Sequence, residues 1–383
     1  MRYIHGWKEL RPQSHAVRIG DLVYCSGMRP VDPDTGELMS NRDFSAHVSQ
    51  CLDNLDTVLK KTGMTIQDAV KLKVYLRNMR NASAAAEIIA ERFAPSAMPT
   101  ATVLEISRIE DDHDVIIDCT AAAPDLGITY TQDETAAPYS GAVKFGDYVS
   151  CTAAVPQADT LAYDEQQFKD EVLSCFTKLV KRLDTAGADI SQIFRTRVYV
   201  RNMLDRHAVN EVTKSFFTRY PLRIIVEVSR LPKEQRIAVE CDAYCGDSIE
   251  YLKTNKGQLP TGPFCQGIRI DGRYIYCAGV RPIDPATDRL LVGTIHDRVV
   301  RCMENLQAVL AVAGSSMEQV FEARVYLRNM ADLGVTEEVF RKYFRQGQYP
   351  VWTAVEIARL NEDYEKGWDP NHDVEIEVSA YET

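Results

Sequence analysis

A chain of 383 residues has room for two to four domains, and its formal charge of -11, with Lys and Arg scattered among the acids, argues against nucleic acid as a partner. Ten cysteines with no C-x-x-C pair and seven histidines with no paired metal spacing predict neither a metal site nor a disulfide framework. Apolar stretches are strand-sized and the N-terminus lacks an apolar core of signal length, so a soluble, cytoplasmic protein without membrane contact is expected.

In chain order, Ala16 to Gly27 reads as an apolar strand region, followed by VDPDTGEL (Val31 to Leu38), whose Asp-Pro and Thr-Gly mark the bend of a hairpin. Val48, Cys51, Leu52, Leu55, Val58 and Leu59 then fall at i, i+3, i+4, i+7 spacing and stop at Gly63, predicting an amphipathic helix with one buried face. Val70 to Leu76 alternates as a strand, and Ser83 to Phe93 forms a second helix. Thr102 to Ile106 with Val115 to Cys119 closes a last hairpin.

That order is repeated twice more. VYLRNM at Val74 to Met79 returns as VYVRNM (Val198 to Met203) and VYLRNM (Val325 to Met330), and GDLVYCSGMRP (Gly20 to Pro30) returns as GDYVSCTAAVP (Gly146 to Pro156) and DGRYIYCAGVRP (Asp271 to Pro282). A period of about 125 residues is a domain rather than a solenoid turn. Three domains follow, near 1 to 126, 127 to 250 and 251 to 383, joined without a proline-rich or single-charge linker. Eight of the cysteines occupy repeat-equivalent places and read as small buried side chains. With both helices covering one sheet face, the other face is left apolar, and three sheets can bury those faces against one another.

The motifs G-D-x-V-x-C-[ST]-[GA], V-Y-[LV]-R-N-M, YPLRIIVEVSRLP (Tyr220 to Pro232) and VEIE (Val374 to Glu377) resemble those of the RidA/YjgF family, the reactive-intermediate deaminases, across essentially the whole chain. The resemblance implies an α+β fold: three tandem chorismate-mutase-like β-β-α-β-α-β-β domains forming an intramolecular pseudo-trimer, sheets inside and helices outside. It also implies a monomeric chain, open to further dimerisation. Family members hold small carboxylates in clefts between subunits, and the active ones hydrolyse 2-imino or 2-enamino acids without a cofactor.

Carried over position by position, the family's pocket arginine matches Ala101, Arg223 and Trp352 in the three units, its tyrosine Gln13, Tyr139 and Phe264, and its asparagine Ala86, Asn210 and Glu337. The second unit alone keeps all three, which implies one surviving carboxylate pocket. There Arg223 would clamp the acid through two parallel charge-assisted bonds, with Tyr139 and Asn210 orienting the ligand and the main chain near Thr152 and Ala153 polarising it. The alternative for Arg223 is a surface or interface ion pair. The family's water-positioning glutamate matches Ile116, Ala238 and Glu375, so the unit with the arginine lacks the base, and Glu375 reaches Arg223 only if the neighbouring unit's strand borders that pocket.

Four further features stay open at this level. Arg29 and Arg281 are either relocated carboxylate clamps or loop arginines held by carbonyls or by Asp32 and Asp284; His15 is either a general base or structural. Phe264 and Trp352 either fill an emptied cleft or cage an apolar or cationic ligand. Between Arg359 and His372 lie twelve residues against four between Arg108 and His113, a lid carrying Tyr364 and Trp368 or a passive loop. The expected activity is a cofactor-independent hydrolysis of a small carboxylate-bearing imine or enamine, with a non-catalytic binding protein and a nuclease as rivals.

Overall fold

The computed structural model describes residues 1–7, 11–40, 43–94, 97–156, 164–360 and 373–382, so the third unit's insertion with Tyr364 and Trp368 lies outside the described residues. The first unit comprises β1 (Arg2–Ile4), β2 (Ala16–Ile19), β3 (Leu22–Met28), α1 (Phe44–Lys60), β4 (Ala69–Leu76), α2 (Ala82–Arg92), β5 (Thr100–Glu105), β6 (Arg108–Ile109) and β7 (Val115–Ala122). The second runs β8 (Thr129–Thr131), β9 (Ala142–Phe145), β10 (Tyr148–Ala154), α3 (Glu165–Thr185), β11 (Ile193–Val200), α4 (Arg206–Phe216), β12 (Leu222–Glu227) and β13 (Ile237–Tyr244). The third runs β14 (Ile249–Leu252), β15 (Gly267–Ile270), β16 (Tyr274–Cys277), β17 (Ile283–Asp284), β18 (Arg289–Leu290), α5 (Ile295–Val312), β19 (Val320–Leu327), α6 (Leu333–Tyr343), β20 (Val351–Glu356) and β21 (Val374–Tyr381).

Local signals set these boundaries. Asp43 accepts from the N–H groups of Ser45 and Ala46 and starts α1 a turn before the apolar spacing begins; Thr294 and Asp297 form a reciprocal cap on α5. The first hairpin bends at Gly20, where φ is +55°, rather than in VDPDTGEL, which contributes a single bridge between Val31 and Leu38. In the recurring R-N-M sequence the asparagine is a cap: Asn78, Asn202 and Asn329 each accept from the N–H two residues on. The methionine N–H groups of Met79, Met203 and Met330 donate to Glu105, Glu227 and Glu356. The motif is therefore structural.

The expected last hairpin is not one. The first sheet runs β1-β2-β3-β7-β4-β5, so β4 inserts between β5 and β7, pairing parallel with the former and antiparallel with the latter. The other units repeat this order. It leaves β5, β12 and β20 at or near a sheet edge, and main-chain bonds from these strand ends close a ring: Glu105 bridges Arg230, Glu227 bridges Arg359, and β20 pairs with β6.

Three sheets thus face a common interior with the helices outside, but that interior is not purely apolar. Between two clusters drawn from all three units lies a charged layer, in which each unit's strand cation meets an acid of the next. Lys73 Nζ contacts Glu240 at 3.1 Å, Arg197 forks onto Glu377 at 2.8 and 3.0 Å, and Arg324 contacts Asp118 at 2.5 and 3.2 Å. Tyr199 and Tyr75 accept further bonds from Lys73 and Arg324. Burial beside Arg197 and Arg324 pulls Lys73 down to about 7, while Lys71, Lys73 and Arg197 hold Glu240 well below the usual carboxylate range. Among the described residues no helix is long and apolar enough to cross a membrane.

Candidate functional site

Each sheet has a bulge at an equivalent place facing its neighbour: after Cys25, after Cys151 and near Cys277, the strand leaves the regular ladder for two or three residues. Against each bulge docks the edge strand of another unit. Thr152 Oγ1 accepts from the Ala101 N–H at 2.9 Å, Ser26 Oγ accepts from the Trp352 N–H at 2.9 Å, and the Cys265 N–H donates to the Pro221 carbonyl at 3.1 Å. The clefts therefore take the arginine-position strand from one unit and the bulge, the tyrosine position and the glutamate position from the next.

This corrects the expectation of one pocket within the second unit. Arg223 and Asn210 lie in the cleft between the second and third units; Tyr139, Thr152, Ala153 and Ala238 lie in the cleft between the first and second. The three residues retained by the second unit are split between two sites. What Arg223 gains is Glu375, which lines the same cavity together with Gln258, Thr261, Phe264, Gly279 and Arg281.

The Arg223 guanidinium is buried, and its Nη1 has no hydrogen-bond partner among the described residues; Asn210 Oδ1 is likewise unpartnered. Gly262 approaches both so closely that a Cβ there would lie 2.7 Å from Arg223 Nη2 and 3.3 Å from Asn210 Oδ1. Phe264, at the tyrosine position, sits with its ring centroid 5.4 Å from Arg223 Cζ. Burial, with Arg206 nearby, lowers Arg223 to about 10, still a cation at neutral pH. Burial raises Glu375 to about 7, against the pull of Arg281 and with Glu377 adding to the rise. The space left among these groups is about 20 Å³, room for a water.

Arg281 does not act as a free clamp. Its guanidinium pairs with Asp373, its N–H donates to Gln258 Oε1 at 2.6 Å, and its carbonyl accepts from Asn305. Arg29 is committed in the cleft between the third and first units, 2.9 Å from both Glu110 and Asp111, where Arg11 joins the same acids and reaches Glu337 at 3.3 Å. That cleft is occupied by paired charged side chains. Trp352 is buried in the third unit's core, edge-on to Phe340 with centroids 4.3 Å apart, so it and Phe264 belong to different clefts and form no cage. His15 is buried 4.0 Å from the Trp7 ring centroid, and its Nδ1 accepts from the Gly6 N–H at 2.9 Å, a structural placement rather than that of an accessible base.

Gly262, Gly279, Gln258 and Thr261 were not singled out by the sequence. The signal for them was the placement of ligands between subunits, which requires that each unit's arginine be read against the following unit's opening segment and glutamate. Among the described residues no cluster of His, Cys, Asp and Glu is arranged to hold a metal ion.

The family described as endoribonuclease L-PSP matches residues 7–123, 131–245 and 255–382. The chain is similar to a RutC family protein of Pyrococcus abyssi, 38% identical over 30% of this chain and 88% of the relative, and to one of Pyrococcus horikoshii, 36% identical over 34% of this chain and 97% of the relative. A mouse protein named 2-iminobutanoate/2-iminopropanoate deaminase is 31% identical over 28% of this chain and 79% of its own length.

Proposed function

Because the chain belongs to the endoribonuclease L-PSP family, that of RidA and YjgF, in each of its three units, we propose that it hydrolyses a small 2-imino or 2-enamino carboxylate to the keto acid and ammonia in the cleft between its second and third units. The observation that carries this reading is a buried guanidinium with an unpartnered N–H lining the same cavity as a carboxyl raised to about 7, contributed by different units. Arg223 would hold the substrate carboxylate through charge-assisted bonds, and Asn210 Oδ1 would accept from the substrate nitrogen. Ionised Glu375 would take a proton from water as the water oxygen bonds to the C=N carbon and the π pair moves to nitrogen. Returning that proton to nitrogen gives the carbinolamine; a second transfer through Glu375, from the new hydroxyl to nitrogen, lets the oxygen pair form C=O as the C–N bond breaks and ammonia leaves, with no change in oxidation state and so no redox cofactor.

The cavity is too small for substrate as it stands, so binding would require the segment 258–264, which carries Gly262 and Phe264 over Arg223, to shift outward. Ammonia release from freshly generated 2-iminopropanoate, followed by stopped flow, tests the reading. Arg223→Ala should lower kcat/KM at least tenfold and weaken pyruvate binding, whereas Glu375→Gln should lower kcat by about 10² or more while leaving pyruvate bound. Wild-type release no faster than buffer would leave a binding protein rather than an enzyme.

A further inference from the structure

The cleft between the first and second units has diverged in the opposite direction from its neighbours. Where the Arg223 cleft leaves about 20 Å³, this one encloses about 440 Å³. All three positions that would bind or activate a carboxylate carry alanine: Ala101 for the arginine, Ala86 for the asparagine and Ala238 for the glutamate. Met79, Val103 and Val155 extend the apolar wall. Lys233 is the one charged side chain among the described lining residues, and it is exposed. A carboxylate entering here would lose its hydration with no guanidinium to replace it.

One polar group survives. Tyr139 is only 6% exposed, packs onto the first unit's core, and its hydroxyl has no hydrogen-bond partner among the described residues. Nearby hydroxyls are occupied: Thr152 Oγ1 donates to the Ser140 carbonyl while accepting from Ala101, and Thr135 Oγ1 bonds Asp133. Arg182 pins this wall by donating to both the Thr152 carbonyl and Thr135 Oγ1. A largely apolar chamber with one unsatisfied donor is the usual composition of a small-molecule pocket. An unmade hydrogen bond in such a place is costly unless a ligand completes it.

We propose that this cleft binds a neutral, largely apolar small molecule that presents a carbonyl oxygen to the Tyr139 hydroxyl, and that it discriminates against carboxylates. The ligand site is separate from the Arg223 cleft and does not depend on the reaction assigned there. Benzamide and benzoate are nearly the same shape and differ in charge, which makes them the test pair. With the full chain labelled at Ala and Met methyls, benzamide should give saturable shifts at Ala101, Ala153, Ala238 and Met79. Benzoate should bind there at least tenfold more weakly.

Tyr139→Phe should weaken benzamide three- to tenfold. Ala101→Leu, or the bulkier Ala101→Trp, should abolish the shifts by filling the chamber, with folding checked by the remaining methyl spectrum and ammonia release unchanged. Benzoate shifting these methyls as strongly as benzamide would overturn the proposal. So would undiminished benzamide binding in Tyr139→Phe, or no saturable shift from benzamide at millimolar concentration.

Discussion

Gly279 and Glu375 are in such close approach that a Cβ on residue 279 would overlap the glutamate Oε1. The equivalent pairs are Gly27 with Ile116 and Ala153 with Ala238, so a methyl group at the bulge accompanies a short side chain at the glutamate position. Room for the carboxylate is made by the missing side chain opposite it.

Gly279→Ala should therefore displace Glu375 and reduce kcat for ammonia release at least tenfold, while pyruvate, held by Arg223, binds within about threefold of wild type. A variant with normal kcat would show that the Glu375 carboxyl does not need its present position.

The pH dependence follows from Glu375, raised from 4.5 to about 7 by burial. As the base it must be ionised, so kcat/KM should rise with pH to a plateau above about 7. Stability moves the other way: between about 4.5 and 7 only the folded state holds this proton, so folding weakens as pH rises through that window and then levels off. Glu375→Gln removes the charge, and denaturant titrations should find it more stable than wild type at pH 8, by about 1–3 kcal/mol, with the difference shrinking toward pH 5. An equal difference at both pH values would place the carboxyl in an ordinary, solvated setting.

Arg197 and Arg201 occupy one strand and its end, yet their substitutions should differ widely. Arg197→Ala would leave Glu377 buried without its fork and should cost about 3–5 kcal/mol. Arg201 makes a rim contact with Glu234 at 3.3 Å, and Arg201→Ala should cost less than about 1 kcal/mol, as should Arg77→Ala beside the exposed Asp112. Chemical denaturation of the three variants gives the comparison, and similar losses would mean that the central layer is not a buried network.

Closure of the ring within one chain predicts a particle of 43.2 kDa or an even multiple built on outer helix faces. Light scattering that found a trimer of chains would require the units to pair between molecules instead.

The triplication, the element order of each unit and the burial of the helix faces were legible because they rest on local spacing: Val48 to Leu59 is amphipathic whatever surrounds it, and Val74 to Met79 repeats whatever it binds. Family membership followed from the same local motifs. The site was not local. Arg223 and the glutamate position of its own unit were read as neighbours because sequential strands commonly pair, but β11 lies between β12 and β13, so Ala238 is held away from Arg223. The edge position of β12 then turns Arg223 toward the third unit, where Glu375, on β21, stands opposite Gly279. Only strand order and the docking of one unit's edge on the next unit's bulge decide which residues meet, because pairing across a sheet is set by the whole fold and leaves no periodic mark on the sequence.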